Sequence, residues 1–113
     1  MTEMCSEMQK LRDKLDERGI KWDDVSSITS EEQIMKVMQG GIERNYAEMT
    51  MWRTHFEVNG IKYSVINGYG SYGGYDPFTG KNYGLLECMT DKVNGGDPVG
   101  HLTADEVMVI IDS

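Results

Sequence analysis

Residues 67–84 read NGYGSYGGYDPFTGKNYG, and they hold six of the chain's thirteen glycines and five of its aromatics. Gly68, Gly70 and Gly73 spell G-x-G-x-x-G, a spacing at which backbone N–H groups wrap a pyrophosphate. That chemistry needs a helix to open directly afterwards, with its N-terminus facing the phosphates. Here Gly74, Tyr75, Asp76 and Pro77 follow, which is turn chemistry. A second match fails too. Five residues separate Gly74 from Gly80-Lys81 where a P-loop has four, and Asn82 stands where a Ser or Thr must reach magnesium. No H-R-D or D-F-G accompanies the glycines, so a kinase-type loop is excluded as well.

The tyrosines offer other chemistry. A base stacked on an aromatic ring contributes roughly 1–3 kcal/mol. Two or three rings with one cation reach the ~8 kcal/mol of micromolar binding. The same side chains anchor protein interfaces, where Tyr, Trp and Arg dominate. The candidate ligand- or partner-binding set is therefore Arg53, His55, Tyr69, Tyr72, Tyr75, Phe78, Lys81 and Tyr83. Catalytic patterns are sparse. His55 and His101 are the two histidines, and H-E-x-x-H, C-x-x-C and G-x-S-x-G do not occur. Cys88 sits in a strand beside Leu86 and Met89 and reads as buried rather than nucleophilic. Asp105 and Glu106 suit a helix N-terminus better than a metal. No catalytic set, metal or cofactor is expected.

Charge singles out the same region. The chain of 113 residues carries −8, which argues against general binding to nucleic-acid backbones. Residues 1–48 carry −4 and residues 85–113 carry −5, whereas residues 49–84 carry +1 and hold eight of the ten aromatics. The length suits one domain spanning 1–113. No apolar run approaches a membrane span, and the N-terminal residues lack the apolar core of a signal peptide. Two cysteines are too few for a disulfide scaffold, so a reduced, cytoplasmic protein is expected.

The elements that must position these residues are read from periodicity and turn chemistry. Met4, Met8, Leu11 and Leu15 recur at helical spacing, which predicts a helix over 3–18. Gly19 and Ile20 fit the end of a Schellman motif. KWDDV is short and extended. Ser30 with Gln33 begins a short second helix that ends at Gly40-Gly41, and 42–48 continues as another helical turn. Asn59-Gly60 is a type I′ turn that sets the register of a hairpin over 51–66. In that register Val58, Phe56, Thr54 and Trp52 oppose Ile61, Tyr63, Val65 and Asn67, while Glu57 opposes Lys62 and His55 opposes Ser64. YGLLECM (83–89) is a third strand, and 67–84 is the glycine-bulged arm and turn leading to it. NGGDPVG reads as a loop. Thr103 with Glu106 forms a capping box, with Leu102 and Val107 as a hydrophobic staple, so a last helix runs to about Ile111. The expected class is α+β: an N-terminal helix, a short second helix, a three-stranded antiparallel meander with a long Gly/Tyr-rich hairpin, and a C-terminal helix.

LRDKLDERGIKW (11–22) and the closing LTADEV (102–107) together resemble small accessory proteins encoded by phages and integrated elements of gut bacteria. This chain has Ala104-Asp105 where Pro-Glu is usual in that group. The resemblance implies an accessory protein acting against host defences, with no catalytic residues to carry over. The leading expectation is a non-enzymatic binding module that blocks a host defence protein. The alternative is an oligomeric sponge that sequesters a small nucleotide signal on Tyr69, Tyr72, Tyr75, Phe78, Arg53 and Lys81. A third reading is a small hydrolase built on His55 or His101.

Overall fold

The computed structural model describes residues 4–27, 50–68, 70–76, 78, 79 and 81–113. The elements are α1 (Ser6–Glu17), β1 (Trp22–Asp24), β2 (Met51–Val58), β3 (Ile61–Gly68), β4 (Tyr75–Asp76), β5 (Lys81–Asn82), β6 (Leu86–Thr90), β7 (Val99–Leu102) and α2 (Ala104–Asp112). The expected helical segments within 30–48 lie outside the described residues. The class is α+β, two helices against an antiparallel sheet.

The sheet has five strands in the order β1-β2-β3-β6-β7, where three were expected. Residues 22–24 pair with β2, opposite Thr54 to Phe56. VGHL pairs with β6, although its Gly and the preceding Pro give it the composition of a loop. The third strand of the sheet is Leu86–Thr90, shifted from the expected 83–89, because Gly84 at φ 69° breaks the extended chain after Tyr83. The 67–84 arm does not extend the main sheet. It leaves at Gly68 and forms its own two-stranded ribbon, β4 with β5.

Local chemistry explains the elements that match. Asn59 and Gly60 both take positive φ, 52° and 80°, as a type I′ turn requires. Val58 meets Ile61, Phe56 meets Tyr63 and Glu57 meets Lys62. The Ile20 N–H donates to Leu15 O (2.9 Å) and the Gly19 N–H to Asp16 O (3.0 Å), the paired bonds of a Schellman motif. Thr103 and Glu106 exchange both bonds of the capping box.

Alternation along the strands separates two faces. The inner face carries Phe56, Tyr63, Val65, Leu86 and Cys88, which pack with Met8, Leu11 and Leu15 of α1 and Val107, Met108 and Ile111 of α2. Phe56 and Tyr63 stack with centroids 4.9 Å apart. The helices are tied side by side. Glu7 Oε1 accepts from the Ala104 N–H (2.9 Å), Lys14 pairs with Asp105 (2.9 Å), and Arg18 Nη2 donates to Asp112 Oδ2 (2.8 Å). These contacts advance together along both helices, so α1 and α2 run in the same direction. Buried Arg12 binds α1 to the sheet. Its Nε donates to Thr54 Oγ1 (2.9 Å), its Nη2 to Asp24 Oδ1 (3.2 Å), and its guanidinium lies 4.6 Å from the centre of the Trp22 ring. Among the described residues no helix is long and apolar enough to cross a membrane.

Candidate functional site

The loop from Gly70 to Gly74 folds back over the end of the sheet, and side chains from both faces hold the loop and the ribbon that follows it. On the outer face, Glu87 Oε1 accepts from the Tyr72 N–H (2.9 Å), and Glu87 is itself only 8% exposed. On the inner face, buried Asn67 donates to Leu85 O (2.9 Å) and exchanges amide bonds of 3.3 Å with Asn82 of β5. The His101 N–H donates to Tyr72 O (3.0 Å), which docks the loop on β7. His101 adopts φ 57°, unusual for a residue with a side chain, where the pairing of β6 with β7 shifts register. Gly100 is required here, because a Cβ at 100 would stand 2.1 Å from Tyr72 Cβ. Gly74 is equally constrained: a Cβ there would lie 2.6 Å from Gly68 O.

This packing decides what the glycine spacing means. The Gly68 N–H donates to Ser71 Oγ, Gly70 to Tyr75 O, Ser71 to Gly68 O, Tyr72 to Glu87 and Gly74 to Ser71 O. All but that of Tyr72 are spent within 68–75, and that of Tyr72 is spent on the Glu87 carboxylate, a negative charge where a phosphate would need positive potential. The stretch is a folded scaffold, not an anion cradle.

What the scaffold displays is aromatic. A cavity of about 290 Å³ opens between loop and ribbon, with Tyr72, Tyr75, Phe78, Tyr83, Asp76 and His101 in its lining. Phe78 is 97% exposed, Tyr72 57% and Tyr83 44%. Asp76 Oδ1 accepts from the Phe78 N–H (2.8 Å), the turn chemistry expected of Asp76. Lys81 Nζ stands 5.2 Å from the centre of the Tyr83 ring. The expected roles of Pro77 and Gly80 in the turn, and Tyr69 itself, lie outside the described residues.

No family model, curated protein or solved structure matches the chain.

The eight candidate residues do not form one cluster. Tyr72, Tyr75, Phe78, Lys81 and Tyr83 gather at the ribbon, while Arg53 and His55 lie on the outer face of β2. Arg53 is in register with Ile66 and, through it, with Glu87, two strands or roughly 10 Å from the loop. His55 is three strands, roughly 14 Å, from His101 on β7, so the two histidines cannot serve one site. Instead His55 heads a second constellation. Asp23, His55 and Ser64 stand in register across β1, β2 and β3, and His55 Nε2 lies 3.0 Å from Ser64 Oγ. A concavity of about 650 Å³ opens over them, with Glu57, Lys62, Met89 and Asp91 also in its wall. The acid–imidazole–hydroxyl order is that of a nucleophilic triad, but the backbone N–H groups of a central strand are committed to its ladder and cannot serve as oxyanion donors.

Asp23 and Glu87 escape a sequence reading, because an acid on the polar face of a strand is ordinary until its cross-strand neighbours are known. Burial disfavours the thiolate form of both cysteines. Burial pushes the Cys88 thiol up to about 11, and burial also raises Cys5. Among the described residues no group of His, Cys, Asp and Glu is placed to hold a metal ion.

Proposed function

We propose that this chain is a non-enzymatic binding module of phage or mobile-element origin, which acts in the cytoplasm of a bacterial host by occupying the surface of a host defence protein. The observation that carries the reading is the display of Phe78, Tyr72 and Tyr83, largely exposed, on a ribbon tied down by buried Glu87 and Asn67. Exposed aromatics on a rigid support lose little entropy on association, and such residues dominate interface energetics. The nucleotide-sponge alternative is less well supported. The N–H groups of Gly68, Gly70, Ser71, Tyr72 and Gly74 are already bonded, a carboxylate lies beneath the loop, and Arg53 is remote from the rings.

The test is comparative capture. Immobilised wild-type protein and the Tyr72→Ala, Phe78→Ala double variant are exposed to host lysate, and the retained protein is purified and rebound. The reading expects one host protein, bound with an affinity that the double variant lowers at least about 30-fold, from two anchors worth about 2 kcal/mol between them. Equal retention by a folded variant overturns it. A rise in melting temperature with a micromolar nucleotide would favour the sponge instead.

The Asp23–His55–Ser64 row favours a second reading, a small hydrolase. Labelling of Ser64 by a fluorophosphonate, lost in His55→Ala, would establish it; no labelling at Ser64 removes it.

A further inference from the structure

We propose that the aromatic cup between loop 70–74 and the β4–β5 ribbon binds a positively charged alkylammonium group, such as a lysine or methylated-lysine head presented by the partner. The inference rests on the reading of the ribbon as the contact surface, and adds the chemistry of what enters it.

Two features point to a cation. The first is the wall. Tyr72, Tyr75 and Tyr83 line the cavity, with Phe78 at its rim. The faces of such rings carry negative potential and attract a cation within about 6 Å of the centroid. The second is the surrounding charge. Asp76 lies in the lining, and the Glu87 carboxylate, nearly buried, lies under Tyr72 with one oxygen bonded to its N–H. Burial in low dielectric lengthens the reach of that charge. Among the described residues His101 is the one basic side chain in the lining. Lys81 places its ammonium 5.2 Å from the Tyr83 centroid, so an entering cation must displace it or use the other rings. The size agrees. A cavity of about 290 Å³ lies just below the range for drug-sized ligands, about 300–1,000 Å³, and suits a head group rather than a nucleotide.

The chemistry separates from plain apolar burial by an isosteric pair. Choline carries a trimethylammonium group, and 3,3-dimethylbutan-1-ol carries a neutral tert-butyl group of the same shape. Each is titrated into the ¹⁵N-labelled protein at pH 8. Amide shifts are followed across 70–83 and at His101. The expected result is saturable binding of choline, at least about threefold tighter than its neutral isostere, since each ring face contributes about two- to thirty-fold. Tyr83→Leu, which keeps apolar bulk, and Asp76→Asn, which keeps the turn's acceptor oxygen, should each weaken choline by a similar factor and leave the isostere unchanged. Equal affinity for both compounds, or no shift with choline in a protein whose remaining amides are native, overturns the proposal. So does stronger binding of inorganic phosphate at the same amides. If choline fails while the double variant still loses its captured host protein, the cation chemistry falls and the contact surface stands. If both fail, the ribbon is scaffold alone.

Discussion

At the residue scale, buried polar groups set the sharpest tests. The Tyr63 hydroxyl and the Trp52 indole N–H are buried without a hydrogen-bond partner among the described residues. An unpaired buried donor costs about 1–3 kcal/mol. Tyr63→Phe deletes the hydroxyl and keeps the ring stacked on Phe56, so it should raise stability by about 1 kcal/mol in urea unfolding. Arg12 is the opposite case, since its donors are satisfied by Thr54, Asp24 and the Arg53 carbonyl. Asp24 is half-exposed and water replaces its partner, so the cost of Arg12→Ala comes from the Thr54 bond and the vacated space. A loss of about 2–3 kcal/mol is expected. Arg12→Lys should recover little of it, because an ammonium cannot span two acceptors and lie flat on Trp22. Nothing in the spacing of LRDKLDERGIKW separates Arg12 from the solvated charges around it. Its burial follows from a strand 41 residues away in sequence, which supplies the Arg53 carbonyl.

At the element scale, the ribbon is positioned by side chains outside it. Asn67 reaches both the Leu85 carbonyl and Asn82, and Gly84 in turn donates to Asn82 Oδ1 (2.8 Å). Asn67→Ala should therefore speed amide exchange across 70–83 by at least about tenfold, one lost bond of ~1.4 kcal/mol, with α1 and α2 still protected. Much at this scale was legible beforehand. The four-three-four spacing of α1, the Asn-Gly turn and the Thr103–Glu106 box each act within a few residues, and each lies where its local chemistry puts it. The β7 strand was not legible. Val99-Gly100-His101-Leu102 has the composition of a loop, and it is extended because β6 offers it a ladder and Tyr72 needs the space that Gly100 leaves open.

At the scale of the whole molecule, ion pairs across the helix seam link stability to pH. Hydrogen bonding from Lys14 lowers the pKa of Asp105, and from Arg18 that of Asp112; a hydrogen bond from Ser26, aided by Arg12, lowers Asp24. A carboxylate depressed on folding contributes stability that is present above its unfolded value of about 3.9, and loses it as the pH falls through the folded value. Lys14 is raised by Asp105, so its share is present below its ordinary value of 10.5 and is lost as the pH climbs through the folded one. Urea midpoints should thus hold level near neutrality and fall toward both extremes. The Arg18→Gln, Asp105→Asn double variant should flatten the acid limb. These groups are exposed, so 1 M salt should flatten it as well.

The amino-acid order alone determined what short-range rules govern: the amphipathic first helix, the register of the central hairpin, the capped last helix, and the failure of the glycine spacings as phosphate loops. Those features depend on residues within a turn or two of one another. The tertiary structure decided what those rules do not reach. It placed Glu87 beneath the glycine loop, His101 against Tyr72, and Asp23, His55 and Ser64 in one row. It also separated Arg53 and His55 from the tyrosines with which they were grouped. The reason is that strand order and register set which side chains share a face, and pairings between distant segments carry no period along the chain.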